Sequence, residues 1–329
     1  MIMHSAPSPH ISRRAVLAAG AAFTAAVWTG ASRAKDKTVL KVVLPYSAGG
    51  VTDLAMRAAI PSMETSLGRP VIIDNRPGAA GIVGTRIVQN AKPDGTTLLM
   101  HNIALVGNAL IEKEAGYDAF VDFMPVAGIV DSGQYIIVHQ SVPARTLAEF
   151  IGYCKSLKQE LPVGTSGLNG ASHLSAMLLA KRTGIKLLPV PYKGGAEMQT
   201  ALISGEVKMT VSTMSEVFNA QVIGGRLRLL AATSDRRSQF TPALPLAKET
   251  VPGFVIEGWN GLFAPKGTSV AEISTVSAAV KNAIEQPGYR ERVAGLYYEV
   301  HYQSPPELAT SMQRTADFYR AAIRELQIS

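Results

Sequence analysis

The chain has 329 residues, 47% hydrophobic and 17% charged, which excludes an intrinsically disordered protein and leaves length for two domains with full cores. Its formal charge of +7 invites a nucleic-acid partner, but the basic residues are scattered, without a basic helix or interleaved aromatics, and that partner is set aside. The single cysteine, Cys154, excludes an internal disulfide and a thiolate metal cluster, and reads as a small apolar side chain on a helix.

The first segment, residues 1–34, reads as a cleavable export signal. "SRRAVLAAGAAFTAAVWTGASRA" at 12–34 has two arginines, an apolar stretch and a small-residue end, and is too short and Ala-rich for a membrane span. Ser12-Arg13-Arg14 before Val16-Leu17 resembles the twin-arginine consensus, with Val16 where Phe is usual and Ala18 where Lys is usual. The twin-arginine route is expected, the general secretory route stays open, and both lead out of the cytoplasm to a periplasmic location. Cleavage after Ala34 leaves 29 basic against 25 acidic residues, a charge of +4.

Beyond residue 38 a strand, a small-residue loop and a helix recur. "LKVVLPY" predicts a buried parallel strand, and helical spacing follows through Leu54, Ala58, Met63 and Leu67, with Pro61 expected to kink or end the helix. "PVIIDN" predicts a second strand, then a turn at "RPGAAG" and a helix over 82–91. "TTLLMHN" predicts a third, entered by the turn "PDG". The unit returns at "LPVGTSG" with a helix over 171–183 and at "KLLPVPYKGG" with a helix over 196–204; "EVKMTVST" and "RLRLLAAT" are two more strands. Helices follow over 270–285 and 305–326, the latter opened by Ser304 as cap with a proline in its first turn.

This alternation predicts an α/β protein of parallel sheets flanked by helices on both faces. Two such sets predict two lobes, with the extended stretches 124–141 and 253–267 as crossover strands forming a hinge. Lobe 1 is then 38–138 plus 259–329, lobe 2 is 139–258, and a ligand cleft lies between them.

In open parallel sheets, ligands sit beyond the carboxyl ends of the strands. In "PYSAGGVTD" at 45–53, Gly49 and Gly50 allow close backbone approach, and the N–H groups of the helix start beyond them suit a carboxylate. No Gly-Lys-Ser/Thr follows, so this is not a phosphate-binding Walker loop. Asp53 reads first as a helix cap or dipole partner, since its charge opposes an anion unless turned away. In "VGTSGLNGASH", Thr165, Ser166, Asn169 and Ser172 offer hydroxyl and amide contacts. Asn102 and Ser212 stand at other strand ends and Lys193 in "PYKGG" can meet a carboxylate, while Arg76 is open between a ligand and a turn role. Trp259 is open between a cleft wall and a plug at the lobe junction.

A serine-hydrolase elbow needs Gly-x-Ser-x-Gly, whereas Gly164-Thr165-Ser166-Gly167-Leu168 departs at its last position. His173 reads first as a packing or hydrogen-bonding residue, and His101, His139 and His301 lack metal-ligand spacing.

Seven ordered stretches, "VVLPYSAGGVTD", "PVIIDNRPGAAGIVG", "AKPDGTTLLM", "TSGLNGASHL", "VPYKGGAE", "GGRLRLLAATSDRR" and "GWNGLFAPKGT", resemble the motifs of the Bug family, the periplasmic receptors of tripartite tricarboxylate transporters, over essentially all of 38–329. The resemblance implies a two-lobed periplasmic-binding-protein fold, no catalysis, no cofactor or metal, a small organic acid as ligand, and membrane permease subunits as partners of a monomer. It implies Tyr46, Ser47, Ala48, Gly49 and Gly50 as one wall of the site and Thr165, Ser166, Asn169 and Ser172 as the other. Ser47 and Val51 depart from the usual first loop, Ile82 stands where Asn is frequent, and Lys208 and Ser212 replace frequent acids, which favours a plain carboxylic acid over one carrying an amine. The competing expectations are an exported hydrolase using Ser166 and His173, and a receptor for another importer class.

Overall fold

The computed structural model describes residues 38–112, 114–168, 170–294 and 298–327; the expected export signal and Asn169 lie outside them. In chain order the elements are β1 (Leu40–Leu44), α1 (Val51–Leu67), β2 (Val71–Asn75), α2 (Ile82–Gln89), β3 (Thr97–Asn102), α3 (Ala104–Ile111), β4 (Phe123–Asp131), β5 (Gln134–His139), α4 (Leu147–Ser156), β6 (Leu161–Thr165) and α5 (Ala171–Thr183). They continue with β7 (Leu187–Pro191), α6 (Gly195–Ser204), β8 (Met209–Thr213), α7 (Glu216–Ile223), β9 (Leu227–Ala232), α8 (Ala247–Thr250), β10 (Trp259–Pro265), α9 (Val270–Ile284), α10 (Pro287–Ala294), β11 (Glu299–Gln303) and α11 (Pro305–Leu326).

Two mixed sheets result, in the orders β11-β4-β10-β3-β1-β2 and β7-β6-β8-β5-β9. Each has a parallel centre, β2-β1-β3 in the first and β7-β6-β8 in the second. The strands adjoining the crossings, β10 and β5, run antiparallel to those centres. Both faces of each sheet are covered, which is why the strands read as apolar runs. Leu40, Val42 and Leu44 face Met56, Met63, Val276 and Val280 in one layer, while Val43 joins Val88, Leu99, Trp259 and Leu308 in the other. In the second sheet Ile136 and Val138 meet Phe150 and Leu179, while Tyr135 and Ile137 meet Met198 and Phe218.

The registers orient the sheets. Asn260 pairs with Asn102, so β10 enters beside the carboxyl end of β3. Gln134 pairs with Thr213, so β5 enters beside the carboxyl end of β8. The carboxyl ends of both parallel centres therefore face the same crossings, Ser132–Gly133 and Gly258. These crossings touch: Ser132 N–H donates to Gly258 O at 2.9 Å, and a Cβ on Gly258 would lie 1.9 Å from Ser132 O.

Two details differ from the sequence reading. Residues 134–138 pair within the second sheet, so the first crossing precedes the expected boundary at 138/139; β4 and β5 read as one extended run because the break at 132–133 is too short to interrupt the pattern. Pro61 does not end α1, because Pro61 and Arg57, whose carbonyl loses its helical partner there, are both exposed to water. Among the described residues no helix is long and apolar enough to cross a membrane.

Candidate functional site

At the carboxyl end of β1, the turn before α1 is held by a clamp that sequence reasoning missed. Asp53 is buried, and its Oδ2 accepts from Gly49 N–H at 2.9 Å and from Arg57 Nε at 2.7 Å. Its Oδ1 accepts from Asn75 Nδ2 at 3.0 Å, and the same amide group donates to Tyr46 O at 3.1 Å. Burial alone would raise the Asp53 carboxyl, but the hydrogen bonds from Arg57, Gly49 and Asn75 hold it below the ordinary carboxylate value. The Asp-x-x-x-Arg spacing was the available signal. Asp53 is thereby turned back into its own loop, and Gly49 takes a φ of +81° that few other residues adopt.

Tyr46 is half-buried, and its hydroxyl donates to Asn102 Oδ1 at 2.9 Å and lies 3.2 Å from His101 Nδ1. The Tyr46 and His101 rings meet edge to face with centroids 5.5 Å apart. Burial pushes the Tyr46 hydroxyl well above its ordinary value and drops His101 to about 4, so both stay neutral near pH 7. Asn102 Oδ1 also accepts from Ala104 N–H, so the expected Asn102 contact braces the end of β3. Ser47, Ala48, Gly49 and Gly50 are exposed.

On the facing edge, Ser166 N–H donates to Ser172 Oγ at 2.9 Å, and the two hydroxyls are 3.1 Å apart. Ser172 is buried and engaged by its own loop, whereas Ser166 is exposed. Thr165 is fully buried, and its hydroxyl finds no hydrogen-bond partner in the protein. Ser212 is half-buried next to the last residue of β8, opposite Tyr135. Lys193 is exposed, its N–H donating to Glu197 Oε2 at 3.1 Å. Arg76 has a turn role, with Nε donating to Asp74 Oδ1 at 2.8 Å and its N–H to Leu44 O at 2.7 Å.

Trp259 is a plug. It is 1% exposed, its indole N–H donates to Thr315 Oγ1 at 2.9 Å, and its ring leans on Phe263. It borders a cavity away from the two glycine loops, among Asp131, Arg236 and His301. A cleft-wall role overlooked that the chain enters β10 at this residue, where a large apolar ring seals the junction.

The helix starts differ by edge. Helices α1, α2, α5 and α6, which follow the carboxyl ends of parallel strands, have Gly50, Gly81, Gly170 and Gly194 at their N-caps and no side-chain cap. Helices α4 and α9, at the opposite ends, are capped by Thr146 and Ser269. On the same edge α3 starts at Ile103 without a side-chain cap, and α7 is capped by Ser215. Gly50 and Gly170 have φ near −70°, open to any residue, and a Cβ would come no closer than 3.4 Å and 3.9 Å to another atom. Neither backbone strain nor crowding requires glycine there. What glycine provides is unobstructed access to the first N–H groups of each helix. The first turn of α5 packs on the first sheet's layer: Ala171 lies against the cluster holding Ile103 and Leu105, and Leu174 packs with Tyr319 and Ala322. Among the described residues no group of three or more His, Cys, Asp or Glu could hold a metal ion.

The profile of the tripartite tricarboxylate transporter family receptors matches residues 55–328. BugT of Bordetella pertussis is 30% identical over 259 residues, covering 78% of this chain and 79% of BugT. The Rhodopseudomonas palustris protein MatC, solved with bound malate, superposes with a TM-score of 0.74 at 28% identity, covering 87% of this chain and 98% of MatC. A second R. palustris protein, solved with adipate, superposes with a TM-score of 0.78 at 27% identity, covering 89% and 98%.

Proposed function

This chain belongs to the tripartite tricarboxylate transporter receptor family, and on that premise we propose that it binds a small organic carboxylate between the starts of α1 and α5 and delivers it to the membrane subunits of such a transporter. The observation that carries the reading is the pair of open, glycine-capped helix starts on facing sheet edges. A carboxylate there accepts several amide hydrogen bonds, and an N-terminal dipole favours its charge by about 0.3–1 kcal/mol per helix. Malate and adipate, seen in the two relatives, are acids of this class.

Residues 39–131 with 259–327 act as one lobe and 134–257 as the other. An acid bound to one lobe gains contacts to the second on closing, which shifts the population towards the closed form. Tyr46 to Gly50 form the first wall and Thr165, Ser166 and Asn169 the second, with Ser212 deeper in the cleft, Lys193 at its rim, and Asn102 and Ser172 acting through the residues they brace. Export uses the twin-arginine signal, and the protein works as a monomer. The family is one of binding proteins without catalysis, and Ser166 is engaged with Ser172 in its own loop, so the hydrolase reading falls away.

The test is thermal unfolding with a panel of aliphatic and aromatic acids. A ligand at a hundred times its Kd stabilises by about 2.7 kcal/mol. No response to any carboxylate in the panel contradicts the proposal.

A further inference from the structure

The cavity beside Trp259, of about 390 Å³, holds a charged cluster that is no part of the proposed carboxylate site. Arg236, just beyond β9, donates from Nη2 to Asp131 Oδ2 at 2.8 Å and lies 3.1 Å from His301 Nδ1. His301 Nδ1 is itself 2.7 Å from the same carboxylate oxygen, and Gln303 Nε2 approaches Asp131 Oδ1 at 3.4 Å. Asp131 and His301 sit on neighbouring strands, β4 and β11, of the first sheet. Arg236 reaches them from the second sheet, across the crossings.

The 2.7 Å contact puts a proton on Nδ1, so the neutral imidazole donates to Asp131, whose Oδ2 accepts from His301 and Arg236 together. A second proton, on Nε2, keeps that hydrogen bond and places a positive charge on the ring whose Nδ1 lies 3.1 Å from Arg236. The hydrogen bond from Asp131 lifts His301 above its ordinary value, with burial and Arg236 opposing and Glu307 of α11 assisting. The other charges around the cavity are engaged elsewhere: Glu299 accepts from Gln239 N–H at 2.9 Å, Asp235 holds Lys248 at 2.5 Å, and Glu257 faces Arg314 at 3.3 Å.

We propose that Arg236 is a positioning residue for ligand binding, latching the lobes in the conformation that docks α5 on α3 and α11, and that protonation of His301 releases it. The proposal rests on the two-lobed receptor reading. Arg236 disfavours the imidazolium, so by linkage the imidazolium disfavours the Arg236 contact. The latch is strongest above the His301 transition and weakens as the pH falls through it. Arg236 is largely exposed, so the effect is modest, about a two- to fivefold change in the ratio of docked to undocked molecules.

The experiment uses the ligand-free protein with dyes at K158C and N90C, exposed positions on opposite lobes; the native Cys154 is buried, its thiol pushed up to about 11, and labels slowly. Single-molecule energy transfer is then followed from about pH 8 to about pH 5, bracketing imidazole titration. Wild type is expected to lose about two- to fivefold in its ratio of docked to undocked molecules towards acid, Arg236→Gln to keep the lower ratio at every pH, and His301→Gln to keep the higher one. An unresponsive wild type, or a wild-type response retained in either variant, overturns the proposal. No ligand is involved, so this failure is distinct from failure of the receptor reading, which shows as no acid binding at any pH.

Discussion

Before α1 the chain is tied by a buried carboxylate that gathers Gly49, Arg57 and Asn75, whereas before α5 the corresponding tie joins two hydroxyls, Ser166 and Ser172. Charge-assisted bonds to a buried acid are roughly twice as strong as neutral ones. The first loop therefore keeps its shape without ligand, and the second rearranges at less cost. Arg57 and the amides also absorb the negative charge of Asp53, which would otherwise oppose an incoming acid. A rigid first loop and an adaptable second suit the proposed closing of the second lobe on an acid seated on the first.

The strongest way to break that comparison is to remove the ties. Asp53→Ala is expected to cost about 2–3 kcal/mol in urea unfolding, below the figure for a fully buried pair because Arg57 is half exposed. Ser172→Ala, which removes both bonds to Ser166, should cost about 1 kcal/mol, as for neutral hydrogen bonds. Equal losses at the two loops would remove the contrast. The pH dependence sharpens it. The Asp53 carboxyl is depressed in the folded state, so its contribution is present above the ordinary carboxylate pKa of about 4 and is lost as pH falls through the folded value. The gap between wild type and Asp53→Asn should narrow in acid, and Ser172→Ala should show no such narrowing.

Acidic caps separate stability from binding. In Gly50→Asp or Gly170→Asp the new carboxylate occupies the helix N–H groups itself, raising stability by a few tenths of a kcal/mol, about the usual gain over glycine. The same group repels an acid ligand, and affinity should fall about tenfold or more by calorimetry. Unchanged affinity in both variants would place the ligand away from these helix starts.

The smallest effect lies beside the crossings, at Asp131 and His301. His301 is raised in the folded state, so its pairing with Asp131 contributes stability fully below the ordinary imidazole value of about 6.5, lost as pH rises through the folded value. His301→Gln should flatten this part of the stability profile, which differential scanning calorimetry across neutral pH checks. The sign is opposite to that of Asp53, so the two regions are separable in one titration series.

Much of the fold was legible in the sequence because both faces of each parallel centre are buried. Runs such as Val42–Leu44 are apolar, and β1, β2, β6 and β7 end in glycine-bearing turns that mark the next helix. The helix α3 and the strand β11 went unread: α3 is apolar around most of its circumference, and β11 is an edge strand with Glu299, His301 and Gln303 on it. At the site, glycines announced both loops, and the Ser166–Ser172 tie fell within the expected residues. The clamp on Asp53 stayed hidden because Asn75 is distant in sequence, and the Trp259 role depended on where the chain crosses between sheets.

The central claim is that two open helix starts, one per lobe, share one carboxylate. A crystal structure of the protein with the tightest acid from the panel tests it most directly. Carboxylate oxygens are expected within hydrogen-bond distance, about 2.7–3.2 Å, of N–H groups at the starts of both α1 and α5. An acid seated instead in the cavity among Asp131, Arg236 and His301, or touching only one helix start with the lobes fully closed, would contradict it.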